Sequence, residues 1–251
     1  MGKVVAIVAV RMGSSRLPGK VLRIVAGKPL LGHLLDRLAL ARRLDGIVVA
    51  TSIRAENDAI ARYCAGRGVA CFRGDEDDVL GRMVGALESQ GATVGVEVFG
   101  DCPLIDPAIV DHFVDEFAQA GGTLDFVGND LTTTWPPGME VEVFAVTALA
   151  DAARRCRDPA IREHGTLHIR QNPALYHLRN IEAPAEFSRP DIELEVDTAE
   201  DLAVIEQVLI HFANWPAVGL ADLIAFMERH PDVAAANRNV PRRWKEFRSD
   251  G

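Results

Sequence analysis

No two cysteines in this 251-residue sequence stand at the spacing of a zinc or redox motif. Cys64, Cys71, Cys102 and Cys156 are scattered, so they read as ordinary thiols of a reducing compartment, and a disulfide scaffold is not expected. The HExxH pattern is missing as well. His164 and His168 stand four apart on an expected helix with no third ligand, which argues against zinc. No apolar run approaches membrane length. The first apolar stretch, Lys3 to Val10, reads KVVAIVAV and ends at Arg11 without a cleavage-type pattern, and Ala6 stands where a myristoylation signal has Ser or Thr. A soluble, cytoplasmic protein is the expectation. Positive charge is in deficit, 27 Lys and Arg against 36 Asp and Glu, and the net charge of −9 disfavours duplex nucleic acid as a partner. There is no internal repeat.

What the sequence does contain is an alternation of strand-like and helix-like segments. After the first β-branched run come Leu30 to Arg43 with Leu at helical spacing, the strand GIVVAT (Gly46 to Thr51), a helix from Ala55 to Gly66, and the strand VACF (Val69 to Phe72). A helix over Asp77 to Gln90, a strand over Val94 to Phe99 and a helix from Pro107 to Ala120, opened by the N-cap Asp106, continue the pattern. Such alternation predicts an α/β fold: a mostly parallel sheet with helices on both faces and a binding site at the carboxyl ends of the strands. The basic loop after Val10, the pair Thr51 and Ser52, RGDEDD at Arg73 to Asp78 and GDCPLID at Gly100 to Asp106 all follow strands.

The loop RMGSSRLPGK carries the strongest chemical signal. Gly13 and Gly19 allow backbone N–H groups to approach an anion, Ser14 and Ser15 lie between them, and Arg11, Arg16 and Lys20 supply charged donors for phosphate oxygens. It is not a P-loop. Five residues separate Gly13 from Gly19, and Val21 stands where the metal-binding hydroxyl would be. A solvated basic turn is the plainer alternative.

The second half is less regular. MEVEVF, Met139 to Phe144, alternates like a strand with Glu140 and Glu142 on one face, fit either to bind a ligand or to be its wet side. Glu193 and Glu195 in IELEVDT repeat the arrangement before Asp197, which could itself cap the helix of Thr198 to His211. The acidic run Asp75 to Asp78 complements a helix dipole. A main domain over residues 1–212 and a C-terminal appendage over 213–251, with a helix at 219–229 and the tail containing Trp244, are expected.

Together, RMGSSRLPGK, VAT at Val49 to Thr51, FRGDEDDVLGR, GDCPLID, REH at Arg162 to His164 and VDTAEDL resemble the cytidylyltransferase family over roughly residues 3 to 212. The likeness is to its branch of spore-coat polysaccharide biosynthesis protein F, related to the CMP-Kdo and CMP-sialic acid synthetases. It implies a three-layer αβα nucleotidyltransferase fold of the glycosyltransferase-A type and transfer of CMP from CTP, with Mg2+, to a sugar or sugar-acid acceptor. By this resemblance Arg11, Arg16 and Lys20 hold the triphosphate, Asp101 and Asp197 hold the metal, and Lys20, Arg16 and Asp101 are catalytic. Gly13, Ser14, Ser15, Thr51, Arg73, Gly74, Asp78 and Arg82 fall in the nucleotide site; Glu140, Glu142, Arg162 and His164 face the acceptor.

The chain departs from its branch at Ala9, where Gln is usual, at Glu97 and Phe99, where Arg and Thr are usual, and at Gly165 and Leu167 in the REH run. Ala9 leaves open another nucleotide such as GTP with a sugar 1-phosphate, and the changes together leave open a non-catalytic nucleotide-binding relative. A glycosyltransferase of the same fold is disfavoured because Pro103 stands where its second carboxylate would be. Relatives of this kind are often homodimers, and the LTTTWPPG loop with the Trp244 tail offers a possible interface.

Overall fold

The computed structural model describes residues 2–212 and 218–242, which leaves Trp244 outside it. The strands are β1 (Val4–Ala9), β2 (Ile24–Val25), β3 (Lys28–Pro29), β4 (Gly46–Ser52), β5 (Ala70–Gly74), β6 (Val94–Glu97), β7 (Phe126–Gly128), β8 (Glu142–Ala145) and β9 (Leu178–Asn180). The helices are α1 (Leu30–Leu38), α2 (Asp58–Gly66), α3 (Val79–Ser89), α4 (Pro107–Gln119), α5 (Val146–Arg155), α6 (Pro159–Arg162), α7 (Leu167–Arg170), α8 (Ala199–His211), α9 (Leu220–Arg229) and α10 (Pro231–Ala235).

Seven strands form one sheet in the order β5-β4-β1-β6-β8-β7-β9, while β2 and β3 form a separate hairpin. The strands β5, β4, β1 and β6 pair in parallel. Only β8 opposes its neighbours, pairing antiparallel with both β6 and β7. The first strand is buried on both faces, as its unbroken apolar run requires. Val4, Ala6 and Val8 point into one core with α1, α4, α8 and α9, and Val5 and Ile7 into the other with α3 and α5. The result is the three-layer αβα nucleotidyltransferase-type fold with a mostly parallel mixed sheet. No described helix is long and apolar enough to cross a membrane.

Several boundaries differ from the sequence reading for identifiable reasons. The first helix stops at Leu38 instead of Arg43, and the N–H groups of Arg42 and Arg43 donate instead to the Asp111 carboxylate at 3.0 and 2.8 Å. The eighth strand starts at Glu142, because residues 137–139 turn to meet a later segment: Met139 N–H donates to Pro136 O, and Leu194 N–H to Pro137 O. His164 and His168 do not share a helix. The chain breaks between α6 and α7 at residues 163–166, and Gly165 there has Met83 and Glu97 where a Cβ would sit.

The C-terminal helices lie on the main body, since Leu220, Leu223, Phe226 and Met227 join the larger core. Trp135 of the LTTTWPPG loop is also buried within its own chain, where its indole N–H donates to Ile181 O. Asp106 ties two helix starts together: its carboxylate accepts from Ala108 N–H at the start of α4 (2.9 Å) and from Leu220 N–H at the start of α9 (2.7 Å). Asp106→Ala is therefore expected to cost about 1–2 kcal/mol, roughly 3–8 °C in melting temperature, read by thermal denaturation.

Candidate active site

Because β5, β4, β1 and β6 are parallel, the loops that leave their carboxyl ends gather along one edge of the sheet. The chain then returns to that edge twice. Residues 192–196 run extended without joining the sheet and are stitched to it at two points, Leu194 N–H to Pro137 O (2.7 Å) and Val196 N–H to Asp101 O (2.9 Å). Gly138, with φ +102°, permits this: a Cβ there would stand 2.6 Å from the Leu194 carbonyl carbon. The second stitch sets Asp197 beside Asp101, although 96 residues separate them in sequence (197 − 101).

Lys20 fills the space between them. Its ammonium donates to Asp101 Oδ2 at 2.9 Å, to Asp197 Oδ1 at 3.0 Å and to Val196 O at 2.7 Å. Burial alone would lower the Lys20 pKa, but the two carboxylates reverse that and raise it. Arg16 pairs with the other oxygen of Asp197 and donates to Pro241 O at 3.1 Å. Asp197 is not the helix cap. Thr198 and Asp201 form the capping box of α8, which leaves the Asp197 carboxylate to the two cations. The loop itself is held by Met12 N–H donating to Asn57 Oδ1 and Gly19 N–H donating to Met12 O. Arg11 pairs with Glu76 at 3.2 Å.

A cavity of about 280 Å³ opens here, lined by Arg11, Gly13, Ser14, Ser15, Arg16, Lys20, Asp101 and Asp197. Among the described residues no group of three His, Cys, Asp or Glu side chains forms a closed metal cage. Two carboxylates converging on one ammonium nevertheless define a cation position, and a pair of carboxylates completed by phosphate oxygens and water suits magnesium. The residues fit such an ion if Lys20 moves aside.

A second cavity, about 240 Å³, shares Ala9, Val10 and Arg11 with the first and extends over the start of β8. Its floor is acidic. Glu97 and Glu142 face each other across the β6–β8 register, both buried. Glu142 accepts from Thr166 Oγ1 (2.5 Å) and from Arg170 (3.3 Å), and Arg170 also pairs with buried Asp130. Glu97 Oε2 has no hydrogen-bond partner among the described residues and lies 2.9 Å from where a Cβ of residue 165 would be. Burial pushes the Glu97 carboxyl up to about 7, against the opposing pull of its hydrogen bond with Glu142 and of Arg170. His164 lines the same cavity, and burial lowers its pKa from 6.5.

The other residues named from sequence support the edge, and of these only Arg82 also lines a cavity. Thr51 is fully buried at the end of β4. Arg73 donates to Ser52 O and Arg54 O and pairs with Asp58, and Gly74 accepts from Ile53 N–H through its carbonyl. Asp78 caps α3 through Gly81 N–H and pairs with Arg162 at 2.6 Å. Arg162 also donates to Ala153 O and Cys156 O, so it braces the loop before His164 and does not face the cavity. Arg82 reaches the second cavity while its guanidinium holds the Asp75 and Glu76 carbonyls. Glu140 is not the wet side of a strand: it is buried and accepts from Gly138 N–H at 2.7 Å and from the Cys102 thiol at 3.9 Å. Burial and its acidic neighbours push that thiol well above its ordinary pKa. Sequence reasoning passed over Thr166, Arg170 and Arg242; nothing in their spacing marks them.

Comparison with known proteins agrees with this geometry. A family model described as cytidylyltransferase matches residues 5–229. The chain is 34% identical over 239 residues to spore coat polysaccharide biosynthesis protein SpsF of Bacillus subtilis (strain 168), which covers 93% of this chain and 98% of that protein. The solved structure of a cytidylyltransferase from Leptospira borgpetersenii serovar Hardjo-bovis (strain JB197) superposes with a TM-score of 0.87 at 30% identity, covering 96% of this chain and 98% of that one. A 3-deoxy-manno-octulosonate cytidylyltransferase of Geobacter sulfurreducens is 36% identical over 118 residues, 46% of each protein.

The raised Glu97 pKa has a stability consequence of definite sign. Between its ordinary value of 4.5 and about 7 the folded chain binds a proton that the unfolded chain has lost, so this group's contribution to stability falls as pH rises through that window. Glu97→Gln is expected to gain stability relative to the parent on going from pH 5 to pH 8, measured as the difference in urea midpoint at the two pH values. An unchanged difference would contradict the burial argument.

Proposed function

The chain belongs to the cytidylyltransferase family, and from that premise we propose that it transfers CMP from CTP to a small sugar or sugar-acid acceptor in the synthesis of a surface polysaccharide or glycoconjugate, releasing pyrophosphate. The observation that carries this reading is the bracketing of Lys20 by Asp101 and Asp197 at the mouth of a cavity walled by Arg11, Arg16 and the glycine-serine loop. A buried ammonium held by two carboxylates beside free loop space is poised to exchange partners. Asp101 and Asp197 would hold a magnesium ion, which would supply charge neutralisation at phosphate oxygens. Lys20 and Arg16 face the triphosphate and offset the negative charge that builds on the departing pyrophosphate.

The bond change is an in-line displacement. An acceptor oxygen attacks the α-phosphorus, a new P–O bond forms, the bond from the α-phosphorus to the bridging oxygen breaks, its electron pair leaves with pyrophosphate, and the proton of an acceptor hydroxyl passes to water. The chain's contribution is positioning and electrostatics. The second cavity, continuous with the first along Ala9 to Arg11, holds the acceptor in this reading. Its floor favours a particular partner. Two buried carboxyls at Glu97 and Glu142 repel an acceptor carboxylate aimed at them and accept from hydroxyl or amine groups, so an acid group on the acceptor points instead toward Arg11 or Arg82.

Pyrophosphate release tests this directly, with CTP, GTP, UTP and ATP each offered with magnesium against sugar acids, sugar 1-phosphates and amino sugars. Release restricted to CTP and one acceptor class is the expected result. Lys20→Ala should lower turnover on the order of 10²-fold or more, and Asp101→Ala should abolish it. Nucleotide binding without release from any pair would instead favour a non-catalytic role, and turnover unaffected by Lys20→Ala would refute the assignment.

A further inference from the structure

Arg242 lies far from the motif loops in sequence, yet its side chain is nearly fully buried against the acidic underside of the nucleotide site. Its guanidinium donates to Asp201 Oδ1 at 2.7 Å and stands 3.4 Å from Glu193 Oε2 and 3.7 Å from Glu195 Oε1. A further bond, to Asn237 O at 3.1 Å, fixes its approach, and Asn237 in turn donates to Asp201 Oδ1 and to Glu193 O. Two buried carboxylates, Glu195 and Asp201, and the partly buried Glu193 in one place are tolerable only with a counter-charge, and among the described residues Arg242 is the cation within 4 Å of all three.

What these carboxylates do connects Arg242 to the site. Asp201 Oδ2 accepts the backbone N–H of Asp197 at 3.0 Å and that of Thr198 at 2.8 Å, so it fixes the main chain from which the Asp197 carboxylate projects. Glu193 and Glu195 belong to the extended segment whose stitches deliver Asp197 to Asp101. The residue before Arg242 acts on the other half of the site, since the Pro241 carbonyl accepts from Arg16. Both the aspartate and the arginine that face the nucleotide cavity are thus held from behind by residues 241–242.

We propose that Arg242 is a positioning residue of the nucleotide site: it clamps Asp201 and the 193–195 segment so that Asp197 is aimed at the cation position, and it holds Pro241 against Arg16. The inference rests on the nucleotidyltransferase reading and extends it to a residue that none of the recognised motifs contains. Arg242 touches neither cavity, so its effect is felt through affinity for the nucleotide and not through the acceptor.

Calorimetric titration of the full-length protein with CTP and magnesium supplies a readout independent of turnover, and KM values for nucleotide and acceptor supply a second. Arg242→Gln is expected to weaken CTP binding about tenfold or more, as the loss of a charged hydrogen bond predicts, while the acceptor KM stays within about twofold. Arg242→Lys should fall between the two, because a point charge cannot reach three carboxylates as a planar fork does. If Arg242→Gln does not fold, Arg242→Lys decides, with CTP binding weakened about threefold or more expected. A folded Arg242→Gln, or in its place a folded Arg242→Lys, that binds CTP as tightly as the parent and differs only in melting temperature would overturn the proposal and leave a structural role. A parent protein that binds none of the four nucleoside triphosphates would overturn it by a different route, by removing the reading it rests on.

Discussion

The contact between the Lys20 ammonium and the carboxylates of Asp101 and Asp197 is the constraint around which the rest is arranged. Two carboxylates of like charge do not converge in a partly dry cleft unless a cation stands between them. Here the cation comes from the loop after β1, one carboxylate from the loop after β6, and the other from a segment that is not part of the sheet. Everything that brings these three chain regions together serves that meeting. The parallel pairing of β1 with β6 aligns the first two. The stitches at Pro137 and Asp101, and the missing side chain of Gly138, bring in the third.

Charge in this part of the molecule is arranged in layers. Lys20 lies between Asp101 and Asp197, and Arg16 pairs with Asp197; beneath them Glu193, Glu195 and Asp201 surround Arg242. Each layer supplies the counter-charge for groups that would otherwise be buried alone. The neighbouring cavity follows the same rule with different members, since Arg170 serves both Glu142 and Asp130. Glu97 is the exception: burial is met there by a shift toward the neutral form, the other way a carboxyl can live in a dry place.

The parallel half of the fold was legible from sequence because its strands are buried on both faces and its helices carry strong apolar stripes. KVVAIVAV and GIVVAT have no plausible exposed side. The segment after residue 120 was harder to read for physical reasons. The alternation of MEVEVF looks like a half-wet strand, yet Glu140 and Glu142 are buried and satisfied by partners distant in sequence. In IELEVDT the same alternation belongs to a segment outside the sheet, held by two long-range backbone bonds. Among candidate-site residues, Arg11, Arg16 and Lys20 could be named because a loop rich in glycine and cations follows a buried strand, and Asp101 because it too follows one and matches a family motif. Arg73, Asp78 and Arg162 carry the same residue types, but their hydrogen bonds to nearby carbonyls and helix ends show that they brace the edge. Arg242 had no local signal, since its partners lie 40 to 50 residues upstream (242 − 201 = 41; 242 − 193 = 49).

Strand β8 runs against its neighbours, so the candidate-site edge of the sheet is made from strand ends on one side and a strand beginning on the other. In time as well as in space this matters. A nascent chain of about 100 residues already holds β1, β4, β5 and β6, the strands of a parallel sheet with the glycine- and cation-rich loop at its edge. Such a chain lacks Glu142, Asp197 and Arg242, which arrive later in that order. Until they do, Lys20 has only one of its two carboxylates. The order of synthesis therefore completes the parallel half of the sheet before the segments that carry the second carboxylate and its supports.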